Sequence, residues 1–263
     1  MSDLFVPSVG AVFSADIAVP EHERELRFYS RVLTTGATPL WRAEDLMNNA
    51  GMPIIGLGAR SEEYADLPLQ WMPHIQVADV AESVQRAVDL RGSVLMHATD
   101  DDGNSQWAVL LDPNGAAFGI IPVIPAEMVA NYQGDGAPDA AVGRIAWIDL
   151  TVPEAAATRD FYQQVVGWSA QKIEMEDNGE RYADYGMFDA AGRRVAGIQH
   201  ARGAHGHLPP VWMMYLSVGD LAESVRRAEA EGGKVISEFR EDGKYVYVGI
   251  EDPVGVCFAL VQG

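Results

Sequence analysis

The stretch LPPVWMMYLSV at residues 208–218 decides the fold of this chain, because an earlier copy, LPLQWMPHIQV, stands at 67–77. Trp71 and Trp212 occupy equivalent places in the two copies, at an offset of 141 residues (212 − 71). The same offset relates the segment D-x-A-E-S-V at 79–84 to the one at 220–225. The chain therefore contains an internal duplication, and the two halves are expected to share one fold.

Composition limits the classes of partner. The chain has 263 residues, of which 48% are hydrophobic, enough for one large or two ordinary domains. Its 19 Lys and Arg against 38 Asp and Glu give a formal charge of −19, which argues against nucleic acid or an anionic membrane as partner. The partner we expect is a small molecule, and the chain is expected to be a monomer or a homodimer.

The N-terminal sequence MSDLFVPSVG has neither the basic start nor the apolar run of a signal peptide, and no apolar stretch is long enough to span a membrane. We therefore expect a cytoplasmic protein. The single cysteine, Cys257, excludes an internal disulfide. Because Val256 and Phe258 flank it in an apolar strand, we expect a buried and unreactive thiol.

Each half shows the same order of elements. An opening strand is followed by an amphipathic helix and further strands, and then by a second strand, helix and strands. Asp79 is expected to cap the second helix and Gly92 to end it, and Asp-Pro-x-Gly turns precede the last strands. The predicted strands are 13–19, 71–77, 94–97, 106–111, 116–121, 145–152, 182–188, 195–200, 212–218, 235–239, 245–250 and 256–261, with short strands within 38–60.

These elements predict an α+β fold of four βαβββ modules, two in each half, with curved mixed sheets and helices outside. Residues 1–122 are predicted to form the first domain and residues 143–263 the second. The segment 123–142, with its prolines and Gln133-Gly134-Asp135-Gly136, is expected to be a linker with a short helical turn near 127–131.

Alternation along the opening strand of each module separates an apolar face from a mixed one. The apolar face is suited to pack against a helix. The other face carries acid, imidazole, amide, hydroxyl and aromatic groups. Its members include Asp16, His74, Trp147, Asp149 and Tyr215, and Tyr247 continues it on a later strand. Such a face can simply be solvated, but the interleaved tryptophan and methionine residues favour a lined pocket.

The Val-Pro-Glu…Phe-Tyr…Val motif, the Asp-Pro-x-Gly turn and the paired βαβββ modules resemble the vicinal-oxygen-chelate superfamily. That superfamily includes glyoxalase I, extradiol dioxygenases and the bleomycin- and fosfomycin-resistance proteins. The resemblance covers essentially the whole chain and implies two glyoxalase-like domains. It implies the fold and leaves the reaction open.

In metal-dependent members, the first strand of a module supplies a His or Gln and the last strand a Glu, and the metal acts as a Lewis acid. The resemblance places these ligands at Ser14, Met72, Trp147, Met213, Gly119 and Ala259. None is a usual ligand of a divalent metal, so no metal or other cofactor is predicted. A register slip of two residues would instead offer Asp16 and His74 to one site, with Ile121 standing where a third ligand is needed.

The second half carries the stronger candidates for chemistry. His200 and Arg202 end a strand, where they are suited to hold a carboxylate or enolate group. Arg60 is the counterpart of Arg202 in the first half, but Ala59 stands in the place of His200. In the tract from His200 to His207, the other histidines are expected to lie in an exposed loop.

Two functions are favoured, and a structural or interaction module without a ligand is a third interpretation. The first is a glyoxalase-like lyase or isomerase that acts on a small oxygenated metabolite without a metal, with His200 or a tyrosine as general acid–base. The second is a metal-free binding protein of the bleomycin-resistance type, in which aromatic side chains stack on the ligand and the acidic balance favours a cation. The predicted ligand-binding residues are Arg202, Tyr185, Asp149, Trp147, Tyr215, Tyr247 and His74.

Overall fold

The computed structural model describes residues 7–34, 46–49, 52–130, 145–242 and 245–263. The helices are α1 (His22–Leu33), α2 (Val80–Asp89), α3 (Ala126–Ala130), α4 (Ala155–Val166) and α5 (Leu221–Ala230). The strands are β1 (Val12–Val19), β2 (Leu46–Asn49), β3 (Met52–Ala59), β4 (Met72–Val77), β5 (Ser93–Thr99), β6 (Ser105–Leu111), β7 (Ala117–Pro122), β8 (Ile145–Val152), β9 (Ser169–Asp177), β10 (Glu180–Phe188), β11 (Arg194–His200), β12 (Trp212–Val218), β13 (Lys234–Val235), β14 (Arg240–Asp242), β15 (Tyr245–Glu251) and β16 (Cys257–Gln262).

The fold is mixed α+β, with β1–β7 in one sheet and β8–β16 in a second. In every module the first strand lies parallel to the last: β1 to β3, β4 to β7, β8 to β11, and β12 to β16. The remaining strands add in antiparallel order, as in β11, β10 and β9. This arrangement confirms the βαβββ modules; part of the first module, residues 35–45, lies outside the described residues.

The chain forms two compact units. The first comprises Met1–Phe13, Met72–Ala126 and Ile148–Trp212, and the second comprises Ser14–Trp71, Glu127–Trp147 and Met213–Gly263. The sequence-based boundaries at 122 and 143 remain a prediction. Among the helices of the described residues, none combines the length and the apolar character needed to cross a membrane.

The core of the first unit is built around a buried chain of hydrogen bonds. The Trp212 indole N–H donates to the Tyr162 hydroxyl at 3.0 Å, and that hydroxyl lies 3.5 Å from the Asp112 carboxylate. Asp112 also accepts from the backbone N–H groups of Asn114 and Ala116, which fixes the predicted tight turn. The helix α2 packs against α4 in this unit.

The second unit repeats this chain. The Trp71 indole donates to Tyr29 at 3.3 Å, and the Tyr29 hydroxyl donates to Asp252 at 2.8 Å. The helix α1 is joined to α5 by the Ser224 hydroxyl, which donates to the Val32 carbonyl oxygen at 2.8 Å. Both conserved features of the duplication, the tryptophan and the Asp-Pro-x-Gly turn, therefore meet at one buried tyrosine.

The two cores differ beside the aspartate. In the first unit, Asn114 donates to the Thr158 hydroxyl at 3.0 Å. In the second unit Glu25 stands at the position equivalent to Thr158, 133 residues earlier (158 − 25), and it is fully buried. No N–H or O–H group among the described residues donates to its carboxyl oxygens. Burial, followed by the charge of the Asp252 carboxylate, raises the pKa of Glu25 to about 8, so its carboxyl group is mostly protonated at neutral pH.

One predicted strand is wrong. Residues 235–239 were expected to be continuous strand, but β13 ends at Val235 and β14 begins at Arg240. The backbone N–H of Ile236 still donates to the Gly249 carbonyl oxygen. The Gly249 backbone N–H, however, donates to the Ser237 hydroxyl at 2.8 Å and not to a backbone carbonyl oxygen. A serine side chain has taken the place of the backbone, and regular pairing stops there.

Candidate functional site

The ends of β10 and β11 bring His200 and Asp184 together. The Asp184 carboxylate accepts from the His200 backbone N–H at 2.8 Å and lies 3.2 Å from the His200 Nδ1 atom. Asp184 is 6% exposed, and the His200 side chain is 16% exposed. Because a carboxylate only accepts, the Nδ1 atom carries a proton, and in the neutral form of the ring the lone pair then lies on the Nε2 atom. The pair thus holds one tautomer of the imidazole.

The Tyr182 ring contacts both His200 and Arg202. It meets the His200 ring edge-on, with centroids 5.4 Å apart. The Arg202 guanidinium carbon lies 5.1 Å from the same ring centroid, and Arg202 also pairs with Glu180 at 2.7 Å. Partial burial, together with the carboxylates of Asp184 and Asp177, raises the pKa of Tyr182 above 10.0. The phenol therefore stays neutral and can donate a hydrogen bond.

Arg60, the equivalent arginine in the first half, binds backbone groups. The Arg60 guanidinium donates to the carbonyl oxygens of Ala65 and Leu67, at 2.6 Å for Ala65, and so holds its own loop. Ala59 precedes it and has no imidazole. The His200–Asp184 cluster is thus specific to the second half, as the sequence comparison predicted for His200.

Asp149 lies on the face of β8 opposite Leu150 and Val152, which are fully buried. The register places Asp149 level with Gly197 of β11. The carboxylate is itself 8% exposed. Asp149 therefore stands beside a strand that presents no side chain at that level.

Tyr185 has a different neighbour from the one expected of a ligand-binding residue. It is 8% exposed, and the Arg159 guanidinium of α4 lies 4.5 Å from the centre of its ring. The contact places the Tyr185 ring against that helix. The role of Tyr185 in ligand binding remains a prediction.

His74 lies across the neighbouring strand. The register pairs His74 of β4 with Gly119 of β7, and the His74 ring occupies the space that a Cβ atom at Gly119 would need. The imidazole is half-buried at this position. A glycine at the predicted last-strand ligand position is what lets the ring lie there.

The second unit carries an aromatic surface. The rings of Tyr215 and Tyr247 meet edge-on with centroids 5.2 Å apart, and both side chains are half-buried. Trp147 is half-buried as well. The register places Tyr247 level with Val261, and Val261 level with Ser217, so these side chains share one face.

Comparison with known proteins identifies the family. Residues 144–260 match the model of the glyoxalase/bleomycin resistance protein/dioxygenase superfamily, and residues 13–121 match that of a glyoxalase-like domain. The chain belongs to this superfamily. The sequence resemblance and the paired glyoxalase-like domains are thereby confirmed.

Curated relatives within the superfamily are distant. The anthracycline biosynthesis protein DnrV of Streptomyces peucetius is 28% identical over 196 residues, which is 74% of this chain and 66% of that protein. A protein of Mycobacterium tuberculosis named "Putative glyoxylase CFP32" is 26% identical over 199 residues, 74% of this chain and 70% of that protein. This chain thus spans slightly less than two thirds of the length of DnrV.

Solved structures of the superfamily share the fold. The Mn(II)-bound glyoxalase from Novosphingobium aromaticivorans has a TM-score of 0.59 at 14% identity, covering 97% of this chain and 82% of that one. The homoprotocatechuate 2,3-dioxygenase from B. fuscum has a TM-score of 0.60 at 14% identity, covering 98% and 72%. At this identity, the likeness concerns the fold.

The residues at the positions that the resemblance predicts for metal ligands do not fit a divalent metal. At the ligand positions, Met72 and Met213 are 4% and 7% exposed, and a thioether is a poor ligand for the divalent metals that prefer nitrogen and oxygen. Gly119 and Ala259 carry no donor at all. Within the described residues, no three His, Cys, Asp or Glu side chains converge as a metal would require.

Sequence reasoning singled out His200 and Arg202 at the end of a strand but did not foresee that Asp184 and Tyr182 contact His200. It missed Arg194, whose guanidinium lies over Gly186 on the face of β10 that also carries Asp184. The available signal was the alternation itself, because Gly186, Asp184 and Tyr182 recur at every second residue.

Proposed function

We propose that this chain is a glyoxalase-like enzyme of the lyase or isomerase class, in which His200 moves a proton on a small oxygenated substrate. The observation that carries the proposal is the 3.2 Å contact between the His200 Nδ1 atom and the buried Asp184 carboxylate. A carboxylate that holds Nδ1–H orients the ring, stabilises the imidazolium that forms, and leaves Nε2 to act as a base.

The proposed step is a proton transfer next to a carbonyl group. The His200 Nε2 atom takes the proton from the carbon, and the electron pair of the broken C–H bond moves to the carbonyl oxygen, giving an enolate. In a hydroxy ketone, return of this proton to the former carbonyl carbon, while the hydroxyl proton passes to the other oxygen, gives the isomeric hydroxy carbonyl compound. The neutral Tyr182 phenol and the Arg202 guanidinium supply a hydrogen bond and a positive charge for the developing oxyanion.

Neighbouring groups support this division of roles. Tyr182 lies within ring contact of both His200 and Arg202, so a donor, a base and a cation stand within one cluster. The names of the relatives include a glyoxylase and proteins of anthracycline biosynthesis, which is compatible with chemistry on oxygenated carbon compounds. We propose that the reaction needs no metal and that the protein works in the cytoplasm as a monomer or homodimer.

Hydrogen exchange in D₂O tests the proposal. Wild-type protein is incubated with hydroxyacetone, acetoin and 2-hydroxyacetophenone, and ¹H NMR follows the loss of the C–H signal beside the carbonyl group. We expect exchange by the wild type and at least a 100-fold loss in His200→Gln, the lower range of general-base catalysis. His97→Gln is the matched control, because His97 is exposed and bonded to Ser105. Equal exchange by wild type and His200→Gln contradicts the proposal.

The aromatic surface favours a second candidate, a protein that binds its ligand without transforming it. The edge-on pair of Tyr215 and Tyr247 is suited to stack on a flat ligand. Calorimetry separates the two functions. For a binding protein, Tyr247→Ala weakens ligand binding and His200→Gln leaves the ligand bound and unchanged, whereas for an enzyme His200→Gln abolishes exchange.

A further inference from the structure

The nine-stranded sheet ends in a long and regular strand. The strand β9 lies at the edge of this sheet, and all nine of its residues pair with β10 without a break in register. Within the described residues, no other strand pairs with the outer side of β9. In an antiparallel strand, alternate residues direct their backbone N–H and C=O groups to the outer side, where a further strand can bind them.

The other edge strands of the described residues are short or irregular. The pairing of β5 with β6 contains two register shifts, and the four-residue strand β2 has one shift against β3. The strand β13 has two residues and β14 has three. Short strands and bulges hinder an edge from pairing with another chain. The edge best suited to accept a further strand is therefore β9.

The charges of β9 favour pairing with a second copy of itself in one register. When two copies pair antiparallel about Ile173, the middle residue of the strand, all nine residues overlap. Lys172 of each copy then lies opposite Glu174 of the other. A register centred on Lys172 would instead set two lysines opposite each other, and one centred on Glu174 would do the same with two glutamates. Full overlap and opposite charges thus coincide in the register centred on Ile173.

We propose that this chain forms a homodimer in which two copies of β9 pair antiparallel about Ile173 and join their sheets. The pairing would add about eight backbone hydrogen bonds and two Lys172–Glu174 contacts. These two side chains are exposed and pair with each other at 2.7 Å within one chain, so both are accessible to a second copy. Ile173 and Met175 are half-buried and would lose further exposure to water. The proposal does not depend on the catalytic role of His200.

The net charge of −19 opposes association, but the repulsion is small where the two strands would meet. Glu176 already pairs with Arg181 of β10 at 3.7 Å. In the proposed register Glu176 lies opposite Ala170 of the other copy, and the two Glu176 residues are about 20 Å apart along the strands. That separation exceeds the Debye length of about 8 Å at physiological salt. The charges nearest the two-fold axis are therefore the complementary ones.

Sedimentation velocity at micromolar concentration tests the proposal. We expect wild-type protein to sediment as a dimer, with twice the chain mass of 28.5 kDa. Lys172→Glu and Glu174→Lys should each raise the Kd of the dimer by about tenfold or more, because two cross-strand pairs change from attraction to repulsion. The double variant, which carries both substitutions, restores opposite charges and should dimerise like the wild type.

Mixing the two single variants tests the register itself. Each is expected to be largely monomeric alone, whereas an equimolar mixture should form a heterodimer, since every residue 172 or 174 then faces the opposite charge. Lys234→Glu is the matched control, because Lys234 is an exposed lysine paired with Glu251 at 2.6 Å on another edge strand, β13. Circular dichroism verifies folding of each variant. A monomeric wild type, a Kd that Lys172→Glu leaves unchanged, or a mixture that stays monomeric overturns the proposal.

Discussion

Replacing Glu25 by glutamine tests whether a buried carboxyl pair controls the pH dependence of folding. Glu25 is fully buried, and burial is the main cause that raises its pKa from 4.5 to about 8. The Asp252 carboxylate and Glu21 raise the pKa further, while Arg24 opposes them. The Tyr29 hydroxyl donates to the Asp252 carboxylate at 2.8 Å. Glutamine has the shape of protonated Glu25 and donates a hydrogen bond without ionising.

The sign follows from the direction of the shift. Because the pKa is higher in the folded state, the stabilising contribution of the proton is complete below about pH 4.5 and is lost as the pH rises to about 8. One pH unit corresponds to about 1.4 kcal/mol. Between pH 4.5 and pH 7, the free energy of unfolding should therefore fall by about 3 kcal/mol through Glu25.

Urea unfolding at pH 5, 6, 7 and 8, followed by tryptophan fluorescence, measures this effect. Wild type and Glu25→Gln should be similar near pH 5, and the variant should be more stable by about 3 kcal/mol at pH 7. Glu23→Gln on the exposed side of the same helix is the control and should follow the wild type. If the difference between wild type and Glu25→Gln is the same at every pH, the carboxyl pair does not act as described.

Two further predictions concern the backbone strain at Arg91 and the reactivity of Cys257. Arg91 lies two residues after the end of α2 and has a positive φ of 69°, whereas Gly232 holds the equivalent place after α5 with a φ of 95°. Arg91→Gly should therefore raise the free energy of unfolding by about 1 kcal/mol, and Gly232→Ala should lower it by a similar amount. Thermal unfolding measures both effects. Equal stability of Arg91→Gly and wild type would refute the strain argument. Cys257 is half-buried rather than fully buried as the sequence predicted. Its partial burial, followed by the charges of Glu251 and Asp252, raises the pKa of the thiol to about 11. Iodoacetamide at pH 8 should alkylate the native thiol about 100-fold more slowly than the thiol in urea-unfolded protein, with mass spectrometry as the readout, and equal rates would count against a suppressed thiolate.

Local patterns in the sequence were enough to predict the modules. The Asp79 cap is confirmed, because its carboxylate accepts from the Glu82 backbone N–H at 2.8 Å, and Asp220 does the same for α5. Caps, turns and alternating strands each depend on residues a few positions apart, so the sequence displays them directly. The strand predicted at 235–239 was wrong because its pairing depends on a distant residue. The Gly249 N–H donates to the Ser237 hydroxyl, and the local sequence does not show this contact.

Contacts between segments that are distant in the sequence could not be predicted. Nothing near Glu25 indicates that Asp252 lies beside it, because 227 residues separate them (252 − 25). His200 was identified from the sequence, but its hydrogen bond with Asp184 depends on where β10 and β11 cease to pair. The register ends at Tyr185 and Ile198, and the Asp184 side chain then takes over the His200 backbone N–H. A register of this kind is fixed by packing and leaves no local mark in the sequence.

Duplication explains why the fold was easier to infer than the chemistry. At one equivalent level of the four modules, Asp16, His74, Asp149 and Tyr215 of the first strands are aligned with Gly56, Gly119, Gly197 and Ala259 of the last strands. The small partner recurs because a larger side chain there would meet the polar residue, as the Asp16 carboxylate over Gly56 shows. The polar residue itself has three identities in the four modules, namely aspartate twice, histidine and tyrosine. The small residue on the last strand therefore recurs in every module, and sequence comparison detects this pattern. The polar residue on the first strand changes from module to module, so its role must be determined separately in each one.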